Sequence, residues 1–393
     1  MSLTLIARCV RGIEWILADE VARTEGTSQV RLGEREVTFT AARLTPRLLE
    51  LRTADDLFLD IGTVSGLDHT RAALGLLPAR LARLDVAGAV SRLGELRPLG
   101  RKPRFDVVAS LAGKRNYNRY AVEDTAGAAL GRVLGPGYVS RTPSATPAAA
   151  GGGQPRGPQP ELTVRLFLRG EQLQAALRVA GRPLHRRAWK EHTGAGTLHP
   201  PMAAALARIA RLPEGGTLLD PFCGDGTVAI ELALLDPAAR VVAADLDRDR
   251  LANTRANAAS AGARLLLLRA DAARSAVLPG TVDQIVTNPP WNRAVGAAGA
   301  VADGLDPLWR ELPRLFGPRG RMCLIAEAEL DTPGQLRRRG YTVDPVQNVR
   351  LAGRVSQILV AAPPGVEPLP LDAELLGWRQ RAIKQGVLSH EGF

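Results

Sequence analysis

The segment Thr-Asn-Pro-Pro-Trp at residues 287–291 has the most specific chemistry in the chain. An amino group on an aromatic base is a poor nucleophile because its lone pair is delocalised into the ring, so acceptors must hold its N–H groups before it can react. The side-chain oxygen of Asn288 and the carbonyl of Pro289 are two such acceptors, and Pro290 restricts that carbonyl. Trp291 adds a flat face on which a base can stack. The motif indicates chemistry on the amino nitrogen of a base, with a plain turn around a buried tryptophan as the alternative.

A glycine-rich segment at residues 220–227, Asp-Pro-Phe-Cys-Gly-Asp-Gly-Thr, follows a short apolar run and precedes a helical pattern. Ligands of doubly wound sheets bind beyond the carboxyl ends of the strands, so this turn is the expected position of a cofactor. Its glycines let the backbone approach a ligand closely. The predicted cofactor contacts here are Asp220, Pro221, Cys223, Gly224, Asp225, Gly226 and Thr227. Cys223 is expected to be a small packing residue, not a nucleophile.

The same turn satisfies a loose dinucleotide pattern, because residues 224–229 fit G-x-G-x-x-A. That pattern alone is weak support for NAD. Asp220 and Asp225 place carboxylates where a pyrophosphate would need a positive environment, whereas a sulfonium cofactor has no phosphate to repel. The acidic residues therefore favour S-adenosylmethionine, with an NAD-dependent oxidoreductase as the alternative.

Two further acidic residues follow the next apolar runs. Asp245 comes 21 residues after Gly224, and a carboxylate there can accept both ribose hydroxyls of an adenosine cofactor. Asp271 is expected within reach of the adenine amino group, although an N-terminal helix cap is its structural alternative. Leu246, Ala272 and Asn288 complete the predicted cofactor contacts. Asp247 is expected to be a cap or a solvated acid.

The elements that must position these residues alternate between strands and helices. Short apolar strands are predicted at residues 218–220, 241–245, 265–269, 284–287 and 322–327, with later strands at 341–343 and 355–361. Helix-length segments separate them, which is typical of an α/β fold with a parallel doubly wound sheet. We assign residues 200–365 to this domain and residues 366–393 to a carboxyl-terminal tail with a possible short helix.

The amino-terminal half has a different pattern, that of a smaller α+β region. Strands are predicted at residues 3–9, 37–40, 57–61 and 105–109 and as a hairpin over 162–179, with helical stripes after Ile13 and over 70–84 that Pro78 would break. We divide it into a first domain (1–64), a second domain (65–182) and a linker (183–199). Residues 141–160 are rich in Pro, Gly and Ala and are predicted to form a disordered loop.

The positive charge of the chain is concentrated in one region. Of the formal charge of +11, residues 101–190 hold all the excess, with 16 Lys and Arg against 5 Asp and Glu. A localised basic surface indicates a polyanion partner, and a solvated arginine-rich face is the alternative. The candidate RNA contacts are Lys114, Arg115, Tyr117, Arg119, Arg186, Arg187 and Lys190. Tyr117 and Tyr120 could instead be core anchors of the next helix, and the cations of the linker could lie on a solvated surface.

Composition excludes several other classes of protein. No stretch reaches about 18 apolar residues, so a membrane span is not expected. The three cysteines form no C-x-x-C pair, and the three linker histidines have no carboxylate or cysteine at ligand spacing, so no metal site is predicted. The amino terminus lacks a secretory pattern, which makes the cytoplasm the expected location. Nothing in the sequence indicates an oligomeric state.

Residues 218–232 and 282–291 together resemble the amino-group N-methyltransferases of the class I S-adenosylmethionine fold, whose motif is N/D-P-P-Y/F/W. Residues 182–232, with RPLHRRAWK and LLDPFCGDGT, resemble more narrowly the THUMP-domain RNA guanine-N2 methyltransferases. Residues 105–124 are similar to the core of that THUMP domain and residues 11–14 to its amino-terminal partner. The likeness covers approximately residues 3–362.

The resemblance implies ferredoxin-like and THUMP domains before a Rossmann-like methyltransferase sheet, and methylation of guanine N2 in RNA, most often in the acceptor stem of tRNA. Trp291 and Asn292 replace the family's usual tyrosine and glycine, which leaves guanine N2 and adenine N6 both open. Asp225 replaces a frequent serine and is still expected to face the cofactor. Methylation of rRNA, of DNA or of another amino group, and RNA binding without catalysis, are the alternatives.

Overall fold

A computed structural model describes residues 2–143, 159–211, 215–291, 296, 298–351, 353–367 and 370–389. Most of the predicted loop at 141–160 lies outside these residues, as does Asn292. The described chain forms two seven-stranded sheets, the first built from the amino-terminal half of the sequence and the second from the carboxyl-terminal half. Among the described residues, no helix has both the length and the apolar character needed to cross a membrane.

The first sheet collects strands from the whole amino-terminal half. Its strands are β1 (Leu3–Arg8), β2 (Thr27–Gly33), β3 (Glu36–Ala41), β4 (Asp56–Val64), β5 (Phe105–Leu111), β6 (Leu162–Arg169) and β7 (Gln172–Arg178). They are ordered β2-β3-β1-β4-β7-β6-β5, with β4 antiparallel to β7. The segments predicted as two domains therefore share one continuous sheet, and the boundary between them stays a prediction.

The described part of this half also contains the helices α1 (Glu14–Ala22), α2 (Ala73–Leu81), α3 (Val86–Leu96) and α4 (Arg119–Leu134). Strand alternation turns Leu5 and Leu57 toward the core that contains Trp15 of α1. Pro78 lies inside α2 and does not break it, contrary to the sequence prediction. The pattern also missed β2, whose mostly polar residues lack an apolar alternation.

The second sheet confirms the predicted α/β class. Its strands are β8 (Thr217–Asp220), β9 (Arg240–Asp245), β10 (Leu266–Arg269), β11 (Val282–Thr287), β12 (Phe316–Glu327), β13 (Thr342–Leu351) and β14 (Arg354–Ala362). The order is β10-β9-β8-β11-β12-β14-β13. The first five strands of this order are parallel, and β14 runs antiparallel to both of its neighbours.

The α-helix α5 (Pro200–Ala210) precedes this sheet. Three more follow β8, β9 and β11 along the chain, α6 (Thr227–Leu235), α7 (Arg248–Ala261) and α8 (Asp306–Leu315), and α9 (Thr332–Arg338) leads from β12 to β13. A final helix, α10 (Ala373–Lys384), lies in the predicted carboxyl-terminal tail and packs against α1 of the first half. Arg23 of α1 pairs with Asp372, which caps α10. The tail thus ties the two halves of the chain together.

A buried carboxylate lies at the junction of the two halves. Glu231 of α6 is fully buried, and its two oxygens accept hydrogen bonds from Arg52 of the first half and Arg187 of the linker. Arg187 also donates to the carbonyls of Leu184 and Arg52. The carboxylate of Glu231 therefore holds both the linker and the amino-terminal half against α6.

Glu231→Gln should destabilise the protein by about 3 kcal/mol, because removal of a buried charge leaves two arginines without compensation. The shift of the urea unfolding midpoint measures this effect. Glu50→Gln is the matched control, since Glu50 is exposed and the change should stay below about 0.5 kcal/mol. Equal midpoints for the two variants would contradict the role of Glu231.

Candidate active site

The carboxyl ends of β8, β9, β10 and β11 open into a cavity of about 1040 Å³. The volume matches the upper range of small-molecule sites. Its wall contains nearly all of the predicted cofactor and catalytic residues: Asp220, Pro221, Cys223, Gly224, Asp225, Thr227, Asp245, Leu246, Asp271, Ala272, Asn288, Pro289, Pro290 and Trp291. Gly226 is the one member of the predicted set that does not line it. The two sequence motifs are thus brought to one site.

The glycine turn has the backbone conformation that its residues allow. Gly226 caps α6 with a φ of +86°, and a Cβ there would lie 2.8 Å from Cγ2 of Thr254. Gly224 has a φ of +53° and faces open space, since no heavy atom lies within 4 Å of an added Cβ. Gly226 is therefore a structural requirement of the turn, whereas Gly224 leaves room for a ligand.

Cys223 is buried behind this turn. Its backbone N–H donates to the carbonyl of Ala244, 2.9 Å away, on the neighbouring strand. Burial raises the pKa of its thiol well above the ordinary value. A thiol held in the neutral form is a weak nucleophile, so these contacts favour the packing role over covalent catalysis.

Asp220 joins the two motifs at the floor of the cavity. It is 1% exposed, and its Oδ1 accepts hydrogen bonds from the Thr287 hydroxyl at 2.9 Å and the Phe222 N–H at 3.3 Å. Burial, with a smaller contribution from Asp245, raises the pKa of Asp220 to about 7. The group is therefore near the midpoint of its titration at neutral pH.

Asp245 and Asp271 are held by backbone N–H groups. Asp245 accepts from Gly224 at 2.8 Å and from Asp247 at 2.9 Å, one on each oxygen. Asp271 caps a short 3-10 helix, because one of its oxygens accepts from the Ala273 N–H at 3.0 Å, and a cap was the structural alternative for this residue. Its other oxygen accepts from the Ala300 N–H at 2.7 Å. Each carboxylate oxygen retains a second lone pair, so both residues can still accept ligand hydroxyl or amino groups.

Asp225 connects the glycine turn to the linker and to α7. Its Oδ2 accepts from the Gly194 N–H at 2.6 Å, the Thr197 hydroxyl at 3.0 Å and the Arg250 guanidinium at 2.7 Å. Its Oδ1 accepts from Asn253 at 3.0 Å. These partners lower the pKa of Asp225 despite its burial. The carboxylate holds the linker against α7, and Asp225 also lines the cavity, so its contact with the cofactor stays a prediction.

Asn288 supplies a buried acceptor that no described group uses. Its side-chain Nδ2 donates to the carbonyl of Gly196 at 3.2 Å, which fixes the orientation of the amide. Its Oδ1 is buried without a hydrogen-bond partner among the described residues, and Nε1 of the half-buried Trp291 is also unsatisfied. A buried acceptor without a partner is costly in a folded protein, so it points to a ligand that donates N–H.

The basic segment of the first half contains both exposed and structural residues. Lys114 and Arg119 are exposed, and the Arg119 guanidinium stacks on Tyr120. Arg115 instead donates to the carbonyls of Asp68 and Gly170, and the buried Tyr117 donates its hydroxyl to Asp68 at 2.8 Å. These contacts favour the core-anchor alternative for Tyr117 and give Arg115 a structural role beside it.

The basic residues of the linker also include both exposed residues and residues with structural contacts. Arg186 is exposed, whereas the guanidinium of Arg187 forms an ion pair with the buried Glu231. Burial lowers the pKa of Lys190 to about 8, and its ammonium group is 3.5 Å from the carbonyl of Leu198. Of the predicted RNA contacts, Lys114, Arg119 and Arg186 are thus the ones whose guanidinium or ammonium groups face solvent.

Several residues of the cavity wall were not found by sequence reasoning. They come from the first half, the linker, the end of β12 and the β13–β14 hairpin: Val10, Arg35, Asp55, His199, Glu327, Arg350, Leu351 and Arg354. His199 Nε2 lies 2.6 Å from Asp55 Oδ1, and its ring lies 5.3 Å from that of His185. No local motif marks these residues, because segments far apart in the chain bring them to the site.

Comparison with known proteins shows a match between the carboxyl-terminal half of the chain and a methyltransferase family. Residues 187–357 match the RMKL-like methyltransferase domain family. The chain is 33% identical over 255 residues to the tRNA (guanine(6)-N2)-methyltransferase of Thermus thermophilus, covering 62% of this chain and 69% of that protein. It is also 32% identical over 169 residues to the tRNA (guanine(10)-N2)-dimethyltransferase of Methanothermobacter thermautotrophicus, covering 42% of this chain and 48% of that protein.

Solved structures extend the similarity over both halves. The crystal structure of TrmN from Thermus thermophilus superposes with a TM-score of 0.71 at 27% identity and covers 92% of this chain and 99% of its own. The structure of SMU.472 complexed with SAH has a TM-score of 0.66 at 16% identity and covers 92% of this chain and 98% of its own, which shows the shared fold.

Asp220 should make the stability of the protein depend on pH. Its pKa is about 7 in the folded chain against a usual value of 3.8, so between these values only the folded chain holds the proton. The free energy of unfolding should therefore fall as the pH rises through this range. Asp220→Asn, which mimics the protonated form, should match the wild type at low pH and become relatively more stable by pH 8. Urea midpoints at several pH values measure the difference.

Asp303→Asn is the control for this titration, because Asp303 is exposed. Its midpoint should follow that of the wild type at every pH. A difference between Asp220→Asn and the wild type that stays constant with pH would contradict the titration of Asp220.

Proposed function

The chain belongs to the tRNA guanine-N2 methyltransferase family, and we propose that it methylates the N2 amino group of a guanine in tRNA, with S-adenosylmethionine as the methyl donor. The observation that carries this proposal is the Oδ1 of Asn288 on the wall of the cavity, which is buried and has no hydrogen-bond partner among the residues that the structure describes. The same wall carries the acidic residues of the glycine turn and its neighbouring strands, so an acceptor for a base and a cofactor cradle lie together.

Asn288 acts on the base. The hydrogen bond from its Nδ2 to Gly196 keeps Oδ1 directed away from the linker, where it can accept one N–H of the target amino group. The carbonyl of Pro289 is held by the following proline and offers the second acceptor. Holding both N–H groups localises the nitrogen lone pair, so positioning and electrostatics activate the amino group without a strong base. The half-buried Trp291 provides the stacking surface.

The residues at the glycine turn fit S-adenosylmethionine. Gly224 faces open space where a Cβ would otherwise project, and Asp245 and Asp271 each retain lone pairs beside it. Asp245 would hold the ribose hydroxyls and Asp271 the adenine amino group. The carboxylates of this wall disfavour a cofactor with a pyrophosphate. When bound, S-adenosylmethionine supplies an electrophilic methyl group on a sulfonium centre.

The first half is proposed to capture the RNA. Lys114, Arg119 and Arg186 present exposed cations within the basic region of the chain, where they can contact phosphates. The two relatives named as tRNA methyltransferases support tRNA as the substrate. Ribosomal RNA remains a defined alternative for the same site.

A methylation assay tests the substrate and the position together. Purified protein with labelled S-adenosylmethionine and undermethylated total RNA should label the transfer RNA fraction, and mass analysis should identify N2-methylguanosine. Label in ribosomal RNA or on adenine N6 would keep the mechanism and reject this substrate. Absence of label despite measurable cofactor binding would reject RNA as the acceptor.

Two substitutions separate the proposed roles within the cavity. Asn288→Ala should lower turnover by about 100-fold or more while the Kd for S-adenosylmethionine stays within a few fold, because the variant loses an acceptor used during transfer. Asp245→Ala should weaken cofactor binding first. Kinetics and calorimetric titration of both variants measure the contrast, and equal loss of both properties in Asn288→Ala would overturn its role.

A further inference from the structure

The cavity extends well beyond the carboxyl ends of the strands that hold the two motifs. Because β13 is parallel to β12, the tip of the β13–β14 hairpin lies at the same edge of the sheet as Asn288. Arg350, Leu351 and Arg354 of this tip line the cavity, and Val10 and Arg35 of the first half close it from the other side. With strands about 4.8 Å apart, β13 is roughly 19 Å from β8 along the sheet edge. The part of the cavity near β13 has no role in the proposed methyl transfer.

Arg35 is held there by an uncommon backbone conformation. It occupies the turn between β2 and β3 with a φ of +58°, a left-handed backbone conformation that residues other than glycine seldom adopt. Its N–H donates to Oε1 of Glu14 at 2.9 Å, and its carbonyl accepts from Cys9 at 3.1 Å. Glu14 is fully buried, and its Oε2 accepts from the Gly12 N–H at 2.8 Å. One carboxylate therefore fixes two adjacent turns, including a strained one.

The facing hairpin is fixed against the same turns. Gly12 has a φ of +104°, and a Cβ there would lie 2.3 Å from the carbonyl oxygen of Asn348. The Arg350 N–H donates to the carbonyl of Arg11 at 3.3 Å. The hairpin and the turn that carries Arg35 thus form one continuous wall, although they come from opposite halves of the chain.

Charge is divided between the two parts of the cavity. Of the described residues that line the cavity, five of the seven carboxylates lie near β8 to β10, and the other two are Asp55 and Glu327. Three of the four arginines lie toward β13, and the fourth, Arg250, pairs with Asp225. Arg354 pairs with Glu327 at 3.1 Å and is still half exposed. Arg35 is exposed and makes no ion pair with any carboxylate that the structure describes. Backbone strain that places an exposed cation in a cavity is typical of a binding function.

We propose that Arg35 and Arg354 form a phosphate-binding site at this end of the cavity, which holds the backbone phosphate next to the target nucleotide. The inference rests on the proposed function, because it takes RNA to be the substrate. The guanidinium fork matches the oxygens of a phosphodiester, which favours Arg at such a site. Glu14 acts as a positioning residue, since it holds the turn of Arg35 and does not face the substrate. The amino-terminal half then does more than capture the RNA, because it completes the active site.

Arg35→Gln tests the site through its salt dependence. A lost phosphate contact should lower kcat/KM for tRNA by about 10-fold and reduce the slope of log kcat/KM against log salt by about 0.7–0.9. The Kd for S-adenosylmethionine should stay within about twofold, since Arg35 lies away from the glycine turn. Arg35→Lys keeps the charge and should restore the salt slope with part of the affinity.

Arg31→Gln is the matched control, because Arg31 is exposed on β2 of the same hairpin and does not line the cavity. It should retain the wild-type slope. Glu14→Gln, which keeps one acceptor oxygen and loses the other, should raise KM for tRNA as Arg35→Gln does, while the Kd for S-adenosylmethionine stays unchanged.

The outcomes distinguish this inference from the proposed function. A wild-type enzyme that transfers no methyl group to any RNA would overturn both. A wild-type enzyme that methylates tRNA, with an Arg35→Gln variant that has the same salt slope and KM, would overturn the phosphate site alone. Loss of cofactor binding in Arg35→Gln would also overturn it, because the arginine would then act through the fold.

Discussion

The hydrogen bond between the Thr287 hydroxyl and Asp220 connects the two motifs on which the site depends. Asp220 ends β8 and begins the glycine turn, while Thr287 ends β11 and precedes Asn288, so a 2.9 Å contact holds the cofactor turn beside the acceptor of the base. Both residues are about 1% exposed. Parallel strands bring these ends to one edge of the sheet, and the buried bond then sets their spacing. Methyl transfer requires such spacing, because the donor and acceptor must meet in line.

Buried carboxylates perform a similar task at the junctions of the two halves. Glu231 holds Arg52 and Arg187, Asp225 holds the linker against α7, and Glu14 holds two turns of the first half. A buried charge must be satisfied by nearby donors, so each of these residues restricts the segments that supply them. The cavity between the halves can therefore have a fixed shape although its wall comes from distant parts of the sequence.

The distribution of charge along the cavity corresponds to the chemistry of two different ligands. The carboxylates that predominate near the glycine turn suit a cofactor that carries a sulfonium and no phosphate, whereas the arginines that predominate near the β13–β14 hairpin suit a nucleic-acid backbone. Asn288 lies between these regions, at the carboxyl end of β11. The proposed function and the proposed phosphate site thus use separate parts of one wall, and the base would enter where they meet.

The sequence alone determined the class of the fold, the parallel strands and the two motifs, because local apolar periodicity and glycine turns specify these features directly. It did not determine the protein partners of these side chains: Asp225 also binds the linker, Arg187 pairs with Glu231, and Tyr117 is buried. Nor did any local pattern indicate Arg35 or the role of α10, since both depend on packing between segments far apart in the chain. Only the tertiary structure decides such contacts, because burial and hydrogen-bond partners are properties of the assembled halves.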